Sequence, residues 1–412
     1  HGGTVAGGAS HSAVVLPEGN VWAWGANDRG QLGDGTVVPS LTPQPVPGLT
    51  GVVAVASGDG HVLALTRAGE VWTWGANEAG QLGDGTTVDR PAPLPVLSGV
   101  VGIDAGPDFS LAWKADGTLW TWGANDSGQL GDGSVWPSHT PASITDISGI
   151  AHASAGRGHV LALGVDGSIW SWGRNVFGQL GEGTREDHLS PVAVTAVPDA
   201  AVVVAGAEAS YAVRSDGSLW AWGANAQGQL GDGTTTMRLA AVGVRVPAAV
   251  LAVSVGGGHA LARLADGAVW AWGRNDAGQV GDGNQASRTL PSMLSLGGVA
   301  ALAAGREHSI AVTAEGVVWT WGRNTSGQLG DGTTETRLEP VAISGPGFSW
   351  KVGRPVLHPP PDDYAAAQTV TVATATRGAT VQYTEDGSEP DETSASVVSG
   401  GTVAIPETTT LK

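Results

Sequence analysis

The stretch VWAWGANDRGQLGDGT, Val21 to Thr36, returns at Val71 as VWTWGANEAGQLGDGT and five more times before residue 334. The first tryptophan of each copy falls at Trp22, Trp72, Trp120, Trp170, Trp220, Trp270 and Trp319, with spacings of 50, 48, 50, 50, 50 and 49 residues. Self-similarity at a fixed period of this size marks an array of supersecondary units that bury their cores against one another. Each period has four parts. A short apolar run ends in glycine, as in VVAVASG before Asp59, and a second run follows, HVLAL from His61. A turn then leads into VWTWG, and a loop gives way to a proline-containing extended segment, PAPLPV from Pro91. The turn carries an acid–glycine pair at Glu18–Gly19, Asp116–Gly117, Asp166–Gly167, Asp216–Gly217, Asp266–Gly267 and Glu315–Gly316. Such a pair between two apolar runs is a hairpin signal and predicts a type I′ turn, in which glycine takes the positive φ.

No period contains the helical pattern that a parallel crossover needs, so the four parts read as four short antiparallel strands. Seven such units predict an all-β fold, a seven-bladed β-propeller over residues 1–355, whose closure protects strand edges that an open array would expose. The tryptophan pairs then have a reason. Residues two apart on a strand point to one face, so Trp22 and Trp24 are expected to fill the gap between neighbouring blades. The same holds for Trp72 and Trp74, Trp120 and Trp122, Trp170 and Trp172, Trp220 and Trp222, Trp270 and Trp272, and Trp319 and Trp321. All are expected to be core rather than cofactor contacts. The glycines at 25, 30, 33 and 35 suit cramped turns, and Asn27, Gln31 and Thr36 suit the capping of loop amides. Asp34–Gly35 lacks the alternating oxygen ligands of a calcium loop, and no metal or cofactor is expected.

The formal net charge of −18 disfavours a nucleic-acid partner, whose phosphates are bound by lysine and arginine. The sequence has no cysteine, which excludes disulfides and thiolate chemistry. No apolar run reaches the ~20 residues of a membrane-spanning helix, so no membrane insertion is expected. The opening at His1, without methionine or an apolar leader, reads as a segment of a longer or processed chain.

The phrase W-G-x-N-x-x-G-Q-L-G-x-G stands at Trp24–Gly35, Trp74–Gly85, Trp122–Gly133, Trp172–Gly183, Trp222–Gly233, Trp272–Gly283 and Trp321–Gly332, with Val280 replacing leucine in the sixth copy. Together with G-x-x-H it resembles the regulator of chromosome condensation repeat family. The resemblance implies a seven-bladed propeller. The eukaryotic founder of that family is a nucleotide exchange factor for a small GTPase and binds chromatin, an activity that resides in a hairpin insertion between blades and in a basic tail. No period here has room for such a hairpin and no basic tail is present, so exchange is not expected. The tryptophan motif of the plant ultraviolet-B photoreceptors is also missing: the matching places read GDGH, GRGH, GGGH and GREH. Secreted bacterial relatives include enzyme inhibitors that bind through one loop face.

His11, His61, His159, His259 and His308 share one repeat position, with Phe109 and Ala209 in the other two copies. Equivalent residues lie on a circle and cannot converge on one ion, so these histidines are expected to tie their strands to neighbouring loops. No catalytic constellation is apparent, and the chain is not expected to be an enzyme. Departures from the repeat are better candidates for recognition. Trp136 lies in the loop GSVWPSH, Phe177 stands directly before a GQLG, and the same copy continues with Arg185, Glu186, Asp187 and His188. Trp113 and Tyr211 also depart from the pattern. Aromatics beside charges suit a partner-binding surface.

After Trp350 the period stops. HPPPDDY, within 356–364, reads as a stiff linker, and TVTVATA from Thr369 as a strand. The run Tyr383 to Pro390, YTEDGSEP, resembles the hallmark of the chitobiase/β-hexosaminidase C-terminal-type domain, which implies a partial immunoglobulin-like β-sandwich over 365–412. That domain type is common as a spacer in secreted and surface bacterial proteins. Its incomplete sandwich would leave an edge open to self-association. The expected function is a non-enzymatic binding or scaffold module, secreted or at the cell surface, recognising a protein or glycan through one loop face. The alternatives are a self-assembling filament or surface-layer subunit and an inhibitor of a secreted enzyme.

Overall fold

The computed structural model describes residues 3–343 and, beyond them, the strands Val356–His358, Gln368–Ala373, Thr380–Tyr383, Ala395–Val398 and Gly401–Ile405. The first part is seven four-stranded antiparallel sheets, each with its strands side by side in chain order. Blade 2 shows the plan: an inner strand Val52–Ser57, a second strand His61–Thr66, a third Val71–Gly75 and an outer strand Arg90–Leu97. No described residue lies in a helix.

Register puts the two indoles of each repeat on one face. Trp72 lies opposite Ala64 and Trp74 opposite Val62. Both face blade 1, where Trp74 joins Val21, Ala23, Leu32, Val62 and Ala64 in a buried cluster with Trp72 packed against it. Each of the seven seams holds such a cluster. The last one closes the ring, setting Trp24 and Trp22 of blade 1 against Ile310, Val312, Val318 and Ile343 of blade 7.

The pairs differ from expectation in depth. Trp24, Trp74, Trp122, Trp172, Trp222, Trp272 and Trp321 are fully buried. Trp22, Trp72, Trp120, Trp170, Trp220, Trp270 and Trp319 are only half-buried. The inner indole is held at a fixed place. Its Nε1–H donates to a glutamine carbonyl one blade back, Trp74 to Gln31 O at 3.0 Å and Trp24 to Gln328 O at 2.9 Å. Glycine makes this approach possible: Gly33 has φ +71°, and a Cβ there would lie 2.7 Å from Trp74 Nε1.

The acid–glycine turns also differ. A type I′ turn needs positive φ at both central residues, yet only the glycine has it, with Gly19 at 85° and Gly117 at 81°. Gly19 N–H donates to Leu16 O and Leu16 N–H to Asn20 O, both at 2.8 Å, which is a type I turn followed by a glycine bulge. The carboxylate favours this form, because Asp116 Oδ1 accepts from Thr118 N–H at 3.0 Å while Asp116 keeps an ordinary φ.

The C-terminal strands form one three-stranded sheet, with Gln368–Ala373 between Val356–His358 and Gly401–Ile405, and one two-stranded sheet, Thr380–Tyr383 with Ala395–Val398. Most of the linker HPPPDDY, the run Thr384 to Pro390 and the chain end after Ile405 lie outside the described residues.

Unequal depth predicts unequal cost. Trp74→Ala is expected to lower unfolding free energy by about 3–5 kcal/mol, and Trp72→Ala by clearly less, read as midpoint shifts in urea at constant m.

Candidate functional site: the loop face

Within each blade the inner and third strands end at the same edge of the sheet. The short turn after the inner strand, such as 58–60, and the long loop after the third strand, such as 76–89, therefore share one face of the ring. The acid–glycine turns lie on the other. Most polar residues of the long loop are committed to the loop itself. Asn77 Oδ1 accepts from Leu82 N–H at 2.9 Å, while its Nδ2 donates to Asp84 Oδ1 and to the carbonyls of Thr86 and Val88. Asp84 further accepts from Thr86 N–H and pairs with Arg90 at 2.8 Å. Burial would raise the Asp84 pKa, but hydrogen bonds from Thr86, Arg90 and Asn77 hold it below the usual range; Asp232 and Asp331 behave alike. Gly85 N–H then reaches His139 O of the next blade at 2.9 Å, and Gly332 N–H reaches Leu41 O across the closing seam at 3.0 Å. Among the described residues no group of three or more histidine and carboxylate side chains is arranged to hold a metal.

The repeat histidines are fully buried, and each lies in its own seam. Their partner is a serine on the second strand of the next blade rather than a loop. His61, His159, His259 and His308 Nε2 sit 2.9 Å from Ser110, Ser210, Ser309 and Ser12 Oγ. Each serine hydroxyl spends its single proton on a glutamine carbonyl at 2.7–2.8 Å. The imidazole must therefore be the donor, which fixes a neutral Nε2–H tautomer. Burial lowers these four pKa values to about 3 and that of His11 to about 4. His11 lacks the relay because Val62 stands where a serine would be, and neither of its ring nitrogens has a hydrogen-bond partner.

The departures from the repeat separate into two groups. Trp113 and Tyr211 are core: Trp113 meets His152 edge-on at 5.3 Å, and Tyr211 donates its hydroxyl proton to Gln229 O. They are not recognition residues. Trp136 is 76% exposed on the blade 3 loop. Phe177 and His188 are half-buried on blade 4, while Arg185, Glu186 and Asp187 are exposed there. Two of these have local duties. Arg185 Nε donates to Val176 O at 2.7 Å, and Asp187 Oδ1 accepts from Asn175 N–H at 2.7 Å, as Asp89 does from Asn77 N–H. Trp136 and the 185–188 run thus share one face on adjacent blades.

Charge on this face is divided. Blades 1 to 3 carry Asp28, Asp59, Glu78, Asp108 and Asp126, with Arg29 as the one cation in the same loop positions. In the same positions blades 4 to 7 carry Arg157, Arg174, Arg274, Arg306 and Arg323 together with Glu208, Asp276 and Glu307, so the contrast is between a clearly acidic sector and a weakly basic one. Arg274 and Arg323 are tied to Glu307, and Arg306 reaches across to Asp59 at 3.6 Å. Burial, then the nearby Asp59 and Glu78 charges, push the Asp108 carboxyl above the usual range. Reading the seven copies as isolated phrases missed this division; comparing their loop positions column by column exposes it.

Seven closed blades with one irregular loop face define a repeat propeller, a fold that supports a binding or scaffold module. The chain belongs to the RCC1-like domain family, whose model matches residues 3–262 and 150–358. Residues 359–412 match the model of the chitobiase/β-hexosaminidase C-terminal domain. A segment of 48 residues, 12% of this chain, is 44% identical to Protein RCC2 homolog of Danio rerio, and one of 47 residues, 11% of this chain, is 43% identical to its Xenopus laevis counterpart. These segments span 10% and 9% of the relatives' own lengths. Yeast RCC1 (Prp20), solved bound to Kap60, superposes with a TM-score of 0.73 at 23% identity, covering 80% of this chain and 84% of that one. Human WBSCR16 superposes at 0.71 with 24% identity, covering 82% and 96%. At these identities the likeness is one of fold.

The histidine relays predict acid sensitivity. Unfolded histidine binds protons below pH ~6.5 while the folded rings stay neutral to about 3–4, so stability is complete above pH 6.5 and falls as pH drops below it. The slope expected is up to about 1.4 kcal/mol per pH unit for each ring, read from thermal midpoints between pH 7 and 4. Val62→Ser would give His11 an acceptor and Gln31 O a second donor while removing packing beside Trp74, and is expected to leave the chain about 1 kcal/mol more stable than Val62→Ala in urea unfolding.

Proposed function

We propose that this chain is a non-enzymatic binding module whose loop face docks a protein partner, with Trp136 as an anchor. The observation that carries this reading is the exposure of Trp136, a large aromatic that the repeat does not require, on the face where charge is also divided. Aromatic side chains supply much of the energy at interface centres. The yeast propeller protein with the same fold is described as bound to Kap60 and as having binding properties to Gsp1p and histones. A protein is the partner class that this precedent favours. The net charge of −18 weighs against nucleic acid. The match of residues 359–412 to a chitobiase/β-hexosaminidase C-terminal domain supports a secreted or cell-surface setting.

The test is affinity capture on the immobilised chain, followed by titration of the captured protein against two variants. Trp136→Ala is expected to weaken binding about fivefold or more. Val165→Asp, in an exposed turn on the opposite face, is expected to leave it unchanged. The reverse pattern would move the site to the other face, and a ligand found only on a glycan array would replace the protein class.

A further inference from the structure

The two loop positions after each GDG-type turn are free of the seam packing, and they sort by sector. Blades 1 to 3 place Val37 and Val38, Thr87 and Val88, and Val135 and Trp136 there. Blades 4 to 7 place Arg185 and Glu186, Thr235 and Thr236, Gln285 and Ala286, and Thr334 and Glu335. Val38 is 66% exposed and Val88 59%, so an apolar arc lies open to water along the outer edge of three successive blades. Inside that arc, on the same three blades, stand the carboxylates of the loop face. Asp28, Asp108 and Asp126 have no salt bridge among the described residues. A groove of about 730 Å³ opens at the blade 1 end of this sector, where Val37 and Leu41 line it with Asp28, Asp59 and Asp108; Arg29 and Arg306 also border it, and Val38, Val88, Trp136 and Asp126 lie outside it.

Each half of this surface carries a cost. Exposed valines and an indole order water, and like charges on neighbouring loops repel one another. Nothing in the blade requires either, because blades 4 to 7 fold on the same plan with polar residues in the outer positions. A single partner would relieve both costs: cations over the inner arc and apolar side chains against the outer one.

We propose that blades 1 to 3 form a two-sided docking sector for a basic protein segment bearing apolar side chains. Its lysine or arginine groups meet Asp108 and Asp126, and its apolar groups meet Val38, Val88 and Trp136. This rests on the loop-face reading and narrows it to one sector and one partner chemistry.

Fluorescence anisotropy of the full chain with a labelled peptide of repeated Lys-Leu-Lys-Ser tests it. Two control peptides replace every leucine by serine or every lysine by glutamate. Saturable binding of the first peptide alone is expected. It should weaken about tenfold in Asp108→Asn/Asp126→Asn and about tenfold in Val38→Ser/Trp136→Ser. The charge-matched Glu70→Gln/Asp146→Asn, both exposed on the opposite face, should bind as the parent does. Equal binding of the leucine-free peptide, equal loss in the charge-matched variant, or no saturable binding would each overturn the proposal. Thermal midpoints equal to the parent's exclude misfolding as the cause of a loss. If the peptide fails while Trp136→Ala still weakens a captured partner, the sector assignment falls and the loop-face reading stands.

Discussion

The indole N–H of the second tryptophan in each repeat is buried and must find an acceptor. In all seven seams it finds the backbone carbonyl of the glutamine one blade back, at 2.7–3.0 Å. An indole N–H left unpaired at that depth would cost about 1–3 kcal/mol. The repeated phrase encodes both halves of the bond. Its tryptophan is the donor to the previous blade, and its glutamine carbonyl is the acceptor for the next. The glutamine side chain helps to hold that carbonyl in place, since Gln31 Oε1 accepts from Arg29 N–H at 2.8 Å. Glycine follows two residues later because the neighbouring indole leaves no room for a Cβ. A change in one blade is therefore felt in the seam it shares with another.

The same carbonyl organises the second polar layer. Where a histidine stands in one blade, a serine generally stands in the next, and the two join the glutamine in a relay across the seam. The exceptions come in matched sets. Phe109 faces a blade with Val160, and Gln129 O is left with the indole of Trp172. Ala209 faces a blade with Ala260, and Tyr211 sends its own hydroxyl to Gln229 O in place of the missing serine. Only His11 against Val62 is unmatched. The four relays satisfy Nε2 and leave Nδ1 without a partner, whereas both ring nitrogens of His11 are without one, and an unsatisfied buried group is a weak point. The seam between blades 1 and 2 is thus the least well-made joint by hydrogen bonding, although its apolar cluster is intact.

The blades could be read in the sequence because packing in a ring repeats. Trp24 and Trp74 do one job in one environment, and a constant environment leaves a constant residue. Depth was harder to read, because Trp22 and Trp24 share a face and only the radial position separates a half-buried indole from a buried one. The turns depart from the expected type for a local reason: Asp116–Gly117 has the composition of a type I′ turn, but the Asp116 side chain caps the amide of Thr118 and holds an ordinary φ. The loop-face candidates were legible only in part. Trp136 is conspicuous as a single odd residue. Asp108 and Asp126 are ordinary surface acids until the ring places them beside Asp59 and Glu78.

The ring also explains why the differences between blades collect in the loops. Strand positions are bound to two seams at once, so a substitution there must satisfy both neighbours. The positions after each GDG-type turn answer to neither, and they differ from blade to blade without disturbing the stitch from Gly85 N–H to His139 O or its equivalents. A surface built this way is rigid in its frame and free in its residues, so a partner is met with little ordering cost. The division of charge adds direction. The acidic sector on three adjacent blades faces a weakly basic one across the ring, where Asp276 and Glu307 offset part of the arginine charge, and the resulting field would orient a charged partner and fade with added salt. Net charge alone would predict only general repulsion of anions. The arrangement predicts a preferred angle of approach, and that angle comes from the order in which the seven otherwise equivalent copies follow one another in the chain.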